Sequence, residues 1–206
     1  MLQIKAKYAT DRAIACILLI VLMPLFLIIA LLIKIDSPGP IIFKQERVGY
    51  KKKLFTIYKF RTMIHNVRHN SESDFNVYEG DTRITNIGKI LRKWSLDEIP
   101  QFFNIVKGDM SFIGPRPTLL YQVEKYTDEQ IRRLNMKPGI TGYAQVHGRN
   151  SINWDERIRL DIYYIENYSI WLDFIITLKT IWLLAFPQGI YTKNYSDNTL
   201  SSEQKD

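Results

Sequence analysis

A chain of 206 residues has room for one domain with a proper core plus additional segments. Its 28 Lys and Arg against 21 Asp and Glu leave a net charge of +7, which favours an anionic partner: nucleic acid, an acidic membrane surface or a phosphorylated substrate. The single cysteine, Cys16, excludes an intramolecular disulfide framework and a cysteine-based zinc site; lying in an apolar run, it is expected to be inert packing.

Residues 13–33 are 21 consecutive residues without a charge. At a helical rise this is roughly 30 Å, enough to cross a bilayer core. The run is too long for a signal peptide and no small-residue cleavage site follows it. Lys5, Lys7 and Arg12 precede it, and Lys34, Lys44, Arg47 and Lys51 to Lys53 follow. Positive charge on both flanks favours both ends on the cytoplasmic side. Pro24, near the middle, removes a backbone hydrogen bond and kinks the helix. A broken helix that dips into the bilayer and returns is therefore expected in preference to a spanning one.

Ser37-Pro-Gly-Pro40 makes a stiff exit. Strand-like runs at 41–45 and 54–60 flank a basic turn, Gly49 to Lys53, and predict a hairpin whose tip suits anionic lipid headgroups. Residues 64–82 are polar and read as a loop or a poorly defined helix. Within them His65 and His69 stand i, i+4, but no third ligand is near, so a solvated segment is expected rather than a metal site. Helical spacing returns at Thr85, with Ile87, Ile90, Leu91 and Trp94 on one face and Lys89, Arg92 and Lys93 on the other.

The centre of the chain is Asp97-Glu98, two adjacent carboxylates ahead of Pro100. Phe102, Phe103 and Val106 keep a helical spacing, and Lys107-Gly108 reads as a stop. Ser95 and Glu98 fit a capping box, but that register makes Pro100 the fifth helical residue, where its N–H is wanted. An N-cap at Leu96 or Asp97 is preferred. Either register sets the carboxylates at the positive end of a helix dipole, which keeps them ionised and able to act as nucleophile or metal ligand. Gly114-Pro-Arg-Pro117 comes next, and two prolines around Arg116 aim one guanidinium. Carboxylates, a helix start and a rigidly held arginine together suit phosphate chemistry.

Residues 119–135 read as one helix. Residues 138–150, with Gly139, Gly142 and Gly148, read as a loop in which backbone can approach a ligand, ending at Arg149; the spacing fits neither a Walker A nor a dinucleotide fingerprint. Residues 155–167 are expected to be helical and carry Asp161. The apolar run 170–186 contains Asp173 and Lys179, so a spanning helix is not expected; a core helix and an in-plane interfacial helix stand as equal readings. The tail after Pro187 is polar.

Residues from about 13 to 190 resemble bacterial sugar transferases, the small monotopic phosphoglycosyl transferases that start lipid-linked glycan assembly. The resemblance is carried by Ser37-Pro-Gly-Pro40, Phe43-Lys-Gln45, Phe55-Thr-Ile-Tyr-Lys-Phe-Arg-Thr-Met63, Ser95-Leu-Asp-Glu98, Pro100-Gln101, Asn104, Lys107-Gly-Asp-Met-Ser111, Gly114-Pro-Arg-Pro117, Pro138-Gly-Ile-Thr-Gly142, Gln145-Val146 and Gly148-Arg-Asn150. It implies transfer of a sugar-1-phosphate from a UDP-sugar to undecaprenyl phosphate, with release of UMP and use of Mg2+. It implies Asp97 as the nucleophile and carrier of a phosphosugar intermediate, with Glu98 helping to hold the metal or handle protons. Arg92, Arg116 and Arg149 become phosphate ligands, with Lys59 and Asp161 as weaker candidates. It places the chain at the bacterial cytoplasmic membrane; the basic hairpin tip adds anionic lipids as partners, and interfacial helices make a homodimer an option. Many members carry serine before the proline of the membrane helix, where this chain has Met23-Pro24.

The fold expected is α+β and mostly helical: a re-entrant membrane helix hairpin over 1–36, a compact cytoplasmic catalytic domain with a short β-hairpin and interfacial helices over 37–190, and a polar tail over 191–206. Two other functions are weighed against the transferase. A non-catalytic membrane-bound adaptor of glycan assembly is disfavoured by the intact dyad and arginines. A nucleic-acid binder is disfavoured by the absence of any recognised motif, so no nucleic-acid partner is expected.

Overall fold

The structure, a computed structural model, describes residues 2–65, 80–148 and 152–186. Most of the polar segment after Ile64, the candidate Arg149 and the tail therefore lie outside the described residues.

Two helices, α1 (Leu2–Val21) and α2 (Met23–Asp36), open the chain and are bent by 63° at Leu22. Pro24 falls in the first turn of α2. There its missing N–H costs nothing, and the hydrogen bond it cannot give ends α1 just upstream. Among the described residues no single helix is long and apolar enough to cross a membrane; the bent pair together has the length and composition.

The first half of α1 is built into the folded domain. Ala15 is fully buried with Ile57, Ile105 and Met110. Lys7, expected as a flanking charge, is buried and bonds Asp173 at 2.8 Å. Asp11 accepts from the Ser111 hydroxyl at 2.5 Å, and Tyr8 accepts from the Lys137 N–H at 3.1 Å. Cys16 is exposed, not packed as expected, because its neighbour Ala15 takes the buried face of the helix. On α2 only Ile29 and Ile33 are buried, against Phe60 and Leu91, while Leu27, Ile28, Leu31 and Ile35 are exposed.

The end of α2 is bolted to the rest of the domain. Arg61, itself buried, donates to the Pro38 carbonyl at 2.7 Å and to the Ser37 carbonyl and hydroxyl at 2.7 and 3.0 Å. Asp36 accepts from the Ile87 N–H at 2.9 Å, at the first turn of the next helix.

The hairpin forms as expected, from β1 (Ile42–Val48) and β2 (Leu54–Phe60), paired antiparallel from Ile42 with Phe60 to Val48 with Leu54. Lys51, Lys52 and Lys53 are exposed at its tip. Helix α3 (Asn86–Lys93) is capped by the Thr85 hydroxyl. Its buried stripe is narrower than the periodicity predicts: Leu91 packs inward, whereas Ile90 and Trp94 are exposed.

After the dyad segment, α4 (Phe102–Lys107) ends at Gly108, whose φ of +91° provides the left-handed stop. Strand β3 (Ser111–Ile113) runs parallel to β4 (Gly139–Thr141). Between them the single helix expected over 119–135 is instead three short pieces: α5 (Leu120–Val123), α6 (Asp128–Ile131) and a 3-10 turn at Arg132–Asn135. The break comes from Thr127, whose hydroxyl accepts from Gln130 N–H while the Gln130 side chain returns to Thr127 N–H, a capping box that starts a new helix.

The glycine segment is likewise more ordered than a loop, giving β4 and α7 (Tyr143–His147). A Cβ at Gly114 would meet the Lys137 carbonyl, and one at Gly142 would meet the Gly114 carbonyl. These glycines let backbone approach backbone, not a ligand, and they seat the loop that carries Arg116. Two longer helices follow, α8 (Trp154–Glu166) and α9 (Ile170–Ala185). On α9 only Ile176 is buried, and Trp171, Phe174, Leu178, Ile181 and Trp182 are exposed, so it is no core helix.

Candidate active site

The dyad sits in a 3-10 turn, Leu96–Gln101, entered through Ser95 in the left-handed conformation at φ 55°. The preferred register, with the N-cap at Leu96 or Asp97, does not hold. Ser95 is the N-cap, but its side chain makes no capping bond. Pro100 is tolerated because the chain passes it as a tight 3-10 turn before α4 begins at Phe102. Buried Asn104 on α4 anchors this turn: its amide donates to the Thr56 carbonyl at 2.7 Å and its oxygen accepts from Tyr58 N–H at 3.1 Å. A side chain thus serves as a strand partner for β2 and sets the dyad beside Lys59. Asn104 carries part of the family motif, yet nothing in the sequence alone reveals this role.

Glu98 is the charge hub. Its Oε1 accepts from Lys59 Nζ at 2.6 Å and from Arg116 at 3.1 Å. Burial opposes its ionisation, but Lys59 and Arg116 overcome this and draw its pKa down to about 2. Pro115 and Pro117 are buried and Arg116 between them is exposed. Arg92 donates to the Thr62 hydroxyl at 2.8 Å, close enough for its charge to act on Asp97.

Asp97 is the opposite case. It is buried, and among the described residues no hydrogen bond or ion pair reaches its carboxylate. Burial raises its pKa, and Glu98 adds to the rise, against Lys59, Arg92 and Arg116. The expectation that a helix dipole keeps both carboxylates ionised is thus corrected: Glu98 is held by two cations, and Asp97 is held back by desolvation. The site brings together five sequence-predicted residues: Asp97, Glu98, Lys59, Arg92 and Arg116.

Asp161 stands apart from them. It is 1% exposed and ion-paired with Arg133, which is equally buried. The carboxylate that the family resemblance offers as a substrate ligand is here the buried counter-ion of an arginine through Oδ2, while its Oδ1 has no hydrogen-bond partner among the described residues. Arg133 also donates to the Tyr126 hydroxyl at 2.6 Å and to the Arg116 carbonyl at 3.3 Å, so the pair props the Arg116 loop from behind. The sequence reading misses Arg133, Arg157 and Arg47, all near Arg116. The i, i+4 spacing of Arg157 and Asp161 on α8 is the signal available for one of them.

Among the described residues no three His, Cys, Asp or Glu side chains could hold an ion by themselves. The unpaired carboxylate of Asp97 beside Glu98 does fit a magnesium ion that takes its other ligands from phosphate and water.

A model described as bacterial sugar transferase matches residues 2–187. An uncharacterized sugar transferase, EpsL of Bacillus subtilis, is 43% identical over 83% of this chain and 82% of its own length. The UDP-N-acetylgalactosamine-undecaprenyl-phosphate N-acetylgalactosaminephosphotransferase of Aeromonas hydrophila is 45% identical over 85% of this chain and 42% of its own. The undecaprenyl-phosphate galactose phosphotransferase of Salmonella typhimurium is 39% identical over 90% of this chain and 41% of its own. The chain thus spans most of EpsL and about two fifths of the other two. By the match over residues 2–187 and the likeness to EpsL, the chain belongs to the bacterial sugar transferase family.

Proposed function

We propose that this protein moves a sugar-1-phosphate from a UDP-sugar to undecaprenyl phosphate through a covalent intermediate on Asp97, releasing UMP. The relatives named for undecaprenyl-phosphate sugar phosphotransfer support the overall reaction. The observation that carries the assignment of Asp97 is the asymmetry of the dyad: Glu98 is locked by Lys59 and Arg116, while Asp97 is unpaired and desolvated. A carboxylate poorly solvated and free of hydrogen bonds is the more nucleophilic of the two.

In the first half, an Asp97 oxygen attacks the sugar-bearing phosphorus of the donor. The bond from that phosphorus to the bridging oxygen breaks, and its electron pair stays on that oxygen, which departs on UMP. In the second half, a phosphate oxygen of the carrier attacks the same phosphorus and the Asp97 carboxylate is restored. Lys59, Arg92 and Arg116 face phosphate oxygens and offset the charge gathered at the carboxylates. Asp97 and Glu98 would hold Mg2+, whose chemistry there is to neutralise the donor's diphosphate.

A carrier confined to the bilayer needs this site at a membrane surface. The bent α1–α2 pair and the exposed apolar faces of α2 and α9 support a re-entrant hairpin with an in-plane helix. The lysine tip at 51–53 supports contact with anionic lipids on the cytoplasmic face of the bacterial membrane.

The test is UMP release from purified protein in lipid particles with Mg2+ and undecaprenyl phosphate, across UDP-N-acetylhexosamines and UDP-hexoses. Release from at least one donor is expected; folded protein that releases UMP from none of them overturns the proposal. A pH profile adds a second check. Protonation quenches Asp97, so turnover is full above its raised pKa and lost as pH falls through it. Glu98, at about 2, contributes no limb in the working range. Lys59→Met is expected to move this acid limb to higher pH, by removing a cation that favours the ionised form.

A further inference from the structure

Beside the dyad, four arginines gather around two carboxylates. Arg116 reaches Glu98, which Lys59 already pairs, and Arg133 is committed to Asp161. Arg47 and Arg157 complete the group. Arg47 lies next to Val48, whose N–H donates to the Thr118 carbonyl at 2.8 Å, so the end of β1 is stitched to the chain two residues past Arg116. Arg157 comes from α8, where the Trp154 ring lies 5.5 Å from its guanidinium and 5.4 Å from that of Arg133. Both side chains are half-buried, and Arg116 is the shared neighbour that links them to the dyad.

The cluster also holds unsatisfied donors. Among the described residues, buried Arg47 Nε, Arg133 Nε, Thr118 Oγ1 and Trp154 Nε1 have no hydrogen-bond partner, beside one unpartnered acceptor, Asp161 Oδ1; the far end of Arg47 donates to Gln45 Oε1 at 2.6 Å. Buried polar atoms without partners are rare, and donors grouped around one concentration of positive charge suit an anion as their partner. The electrostatics agree. Burial and then repulsion from Arg116 push Arg47 and Arg157 each down to about 10, with Arg133 adding to the effect on Arg157.

We infer that Arg47 and Arg157, flanking Arg116, form a subsite for a phosphate monoester, occupied by the UMP phosphate in the first half-reaction and by the carrier phosphate in the second. This rests on the transferase reading of the site. In-line displacement at one phosphorus puts the leaving group opposite Asp97, and the carrier must enter where UMP left. In the first half the bridging oxygen keeps the electron pair of the broken P–O bond, and UMP departs as a phosphate dianion. The two flanking guanidiniums meet that developing charge. The carrier phosphate then brings the same charge and the same oxygens, so one subsite serves both.

The experiment uses the full chain in lipid particles, as wild type, Arg47→Gln and Arg157→Gln, with UMP and inorganic phosphate as probes. Loss of one charge-assisted contact is expected to weaken UMP binding and UMP product inhibition by about tenfold or more. Inorganic phosphate should displace UMP from wild type. Transfer from sugar-loaded enzyme to undecaprenyl phosphate should slow in the same variants. Arg47→Lys and Arg157→Lys keep the charge and lose the fork, and are expected to fall between wild type and the Gln variants; they serve where a Gln variant fails to fold. Wild-type UMP affinity in both folded Gln variants, or a wild type that binds no UMP, overturns the subsite. Weakened UMP binding with an unchanged second half-reaction overturns its double use. If wild type binds UMP through these arginines yet consumes no UDP-sugar, the subsite stands and the transferase reading fails. If wild type turns over and the variants bind UMP normally, the reverse holds.

Discussion

Asp97→Asn is expected to lower turnover by about 10^4-fold or more while leaving the fold and UMP binding in place. The amide has the shape of the carboxylate but cannot form the acyl phosphate. Stability separates this from a folding defect. The pKa of Asp97 is raised in the folded chain, because burial and Glu98 outweigh Lys59, Arg92 and Arg116. A raised carboxylate pKa means that the folded state holds the proton more tightly than the unfolded one. The ionised side chain therefore works against folding at neutral pH, and the penalty vanishes on acidification, when both states are protonated. Asp97→Asn should melt at or above the wild-type temperature at pH 7, with the gap closing toward acid pH. Glu98→Gln should do the opposite: its carboxylate is held at about 2, and the neutral amide leaves Lys59 and Arg116 without their counter-charge. Turnover surviving in Asp97→Asn would move the nucleophile elsewhere.

The parts of this molecule legible in sequence are those governed by local pattern. The strand-like runs at 41–45 and 54–60, the helical spacing that returns at Thr85 and the helical run at 155–167 each describe an element that forms largely from its own residues, and the structure places them at Ile42–Val48, Leu54–Phe60, Asn86–Lys93 and Trp154–Glu166. Pro24 marks the break between α1 and α2 to within two residues. Asp97, Glu98, Lys59, Arg92 and Arg116 are legible as a constellation, and they meet in one place.

The features that escape the sequence depend on distance or on competition between signals. The capping box at Thr127 lies inside a pattern that reads as one helix, and the cap wins over the periodicity. Glycines 114, 139 and 142 make sense only together: two backbones separated by some two dozen residues must touch. Asp161 enters as a weaker ligand candidate through the family resemblance alone. Its partner Arg133 lies 28 residues earlier, and only the fold brings the two together. The raised pKa of Asp97 is equally out of reach, since a helix-dipole argument is local and desolvation is not.

The Arg133–Asp161 pair carries the second large expected effect. Each side chain is 1% exposed, so both charges are taken from water on folding. Burial holds the Asp161 carboxyl above its ordinary pKa, while Asp161 and Tyr126 hold Arg133 above its own; the desolvation of two buried charges offsets their attraction, so the pair as a whole adds little to stability. Breaking it is another matter. Asp161→Asn leaves Arg133 fully buried without a counter-charge, at a cost of about 3–5 kcal/mol and a fall in Tm of roughly 10 °C. The double change Arg133→Met with Asp161→Leu removes both charges and should recover most of that Tm. It should not recover UMP affinity, because Arg133 also holds the Arg116 carbonyl and lies against Trp154. Thermal melts and UMP titrations on the two variants separate these effects. Full recovery of both in the double variant would show that the pair only fills space; recovery of Tm alone would show that a buried ion pair is kept here for the arginine it positions.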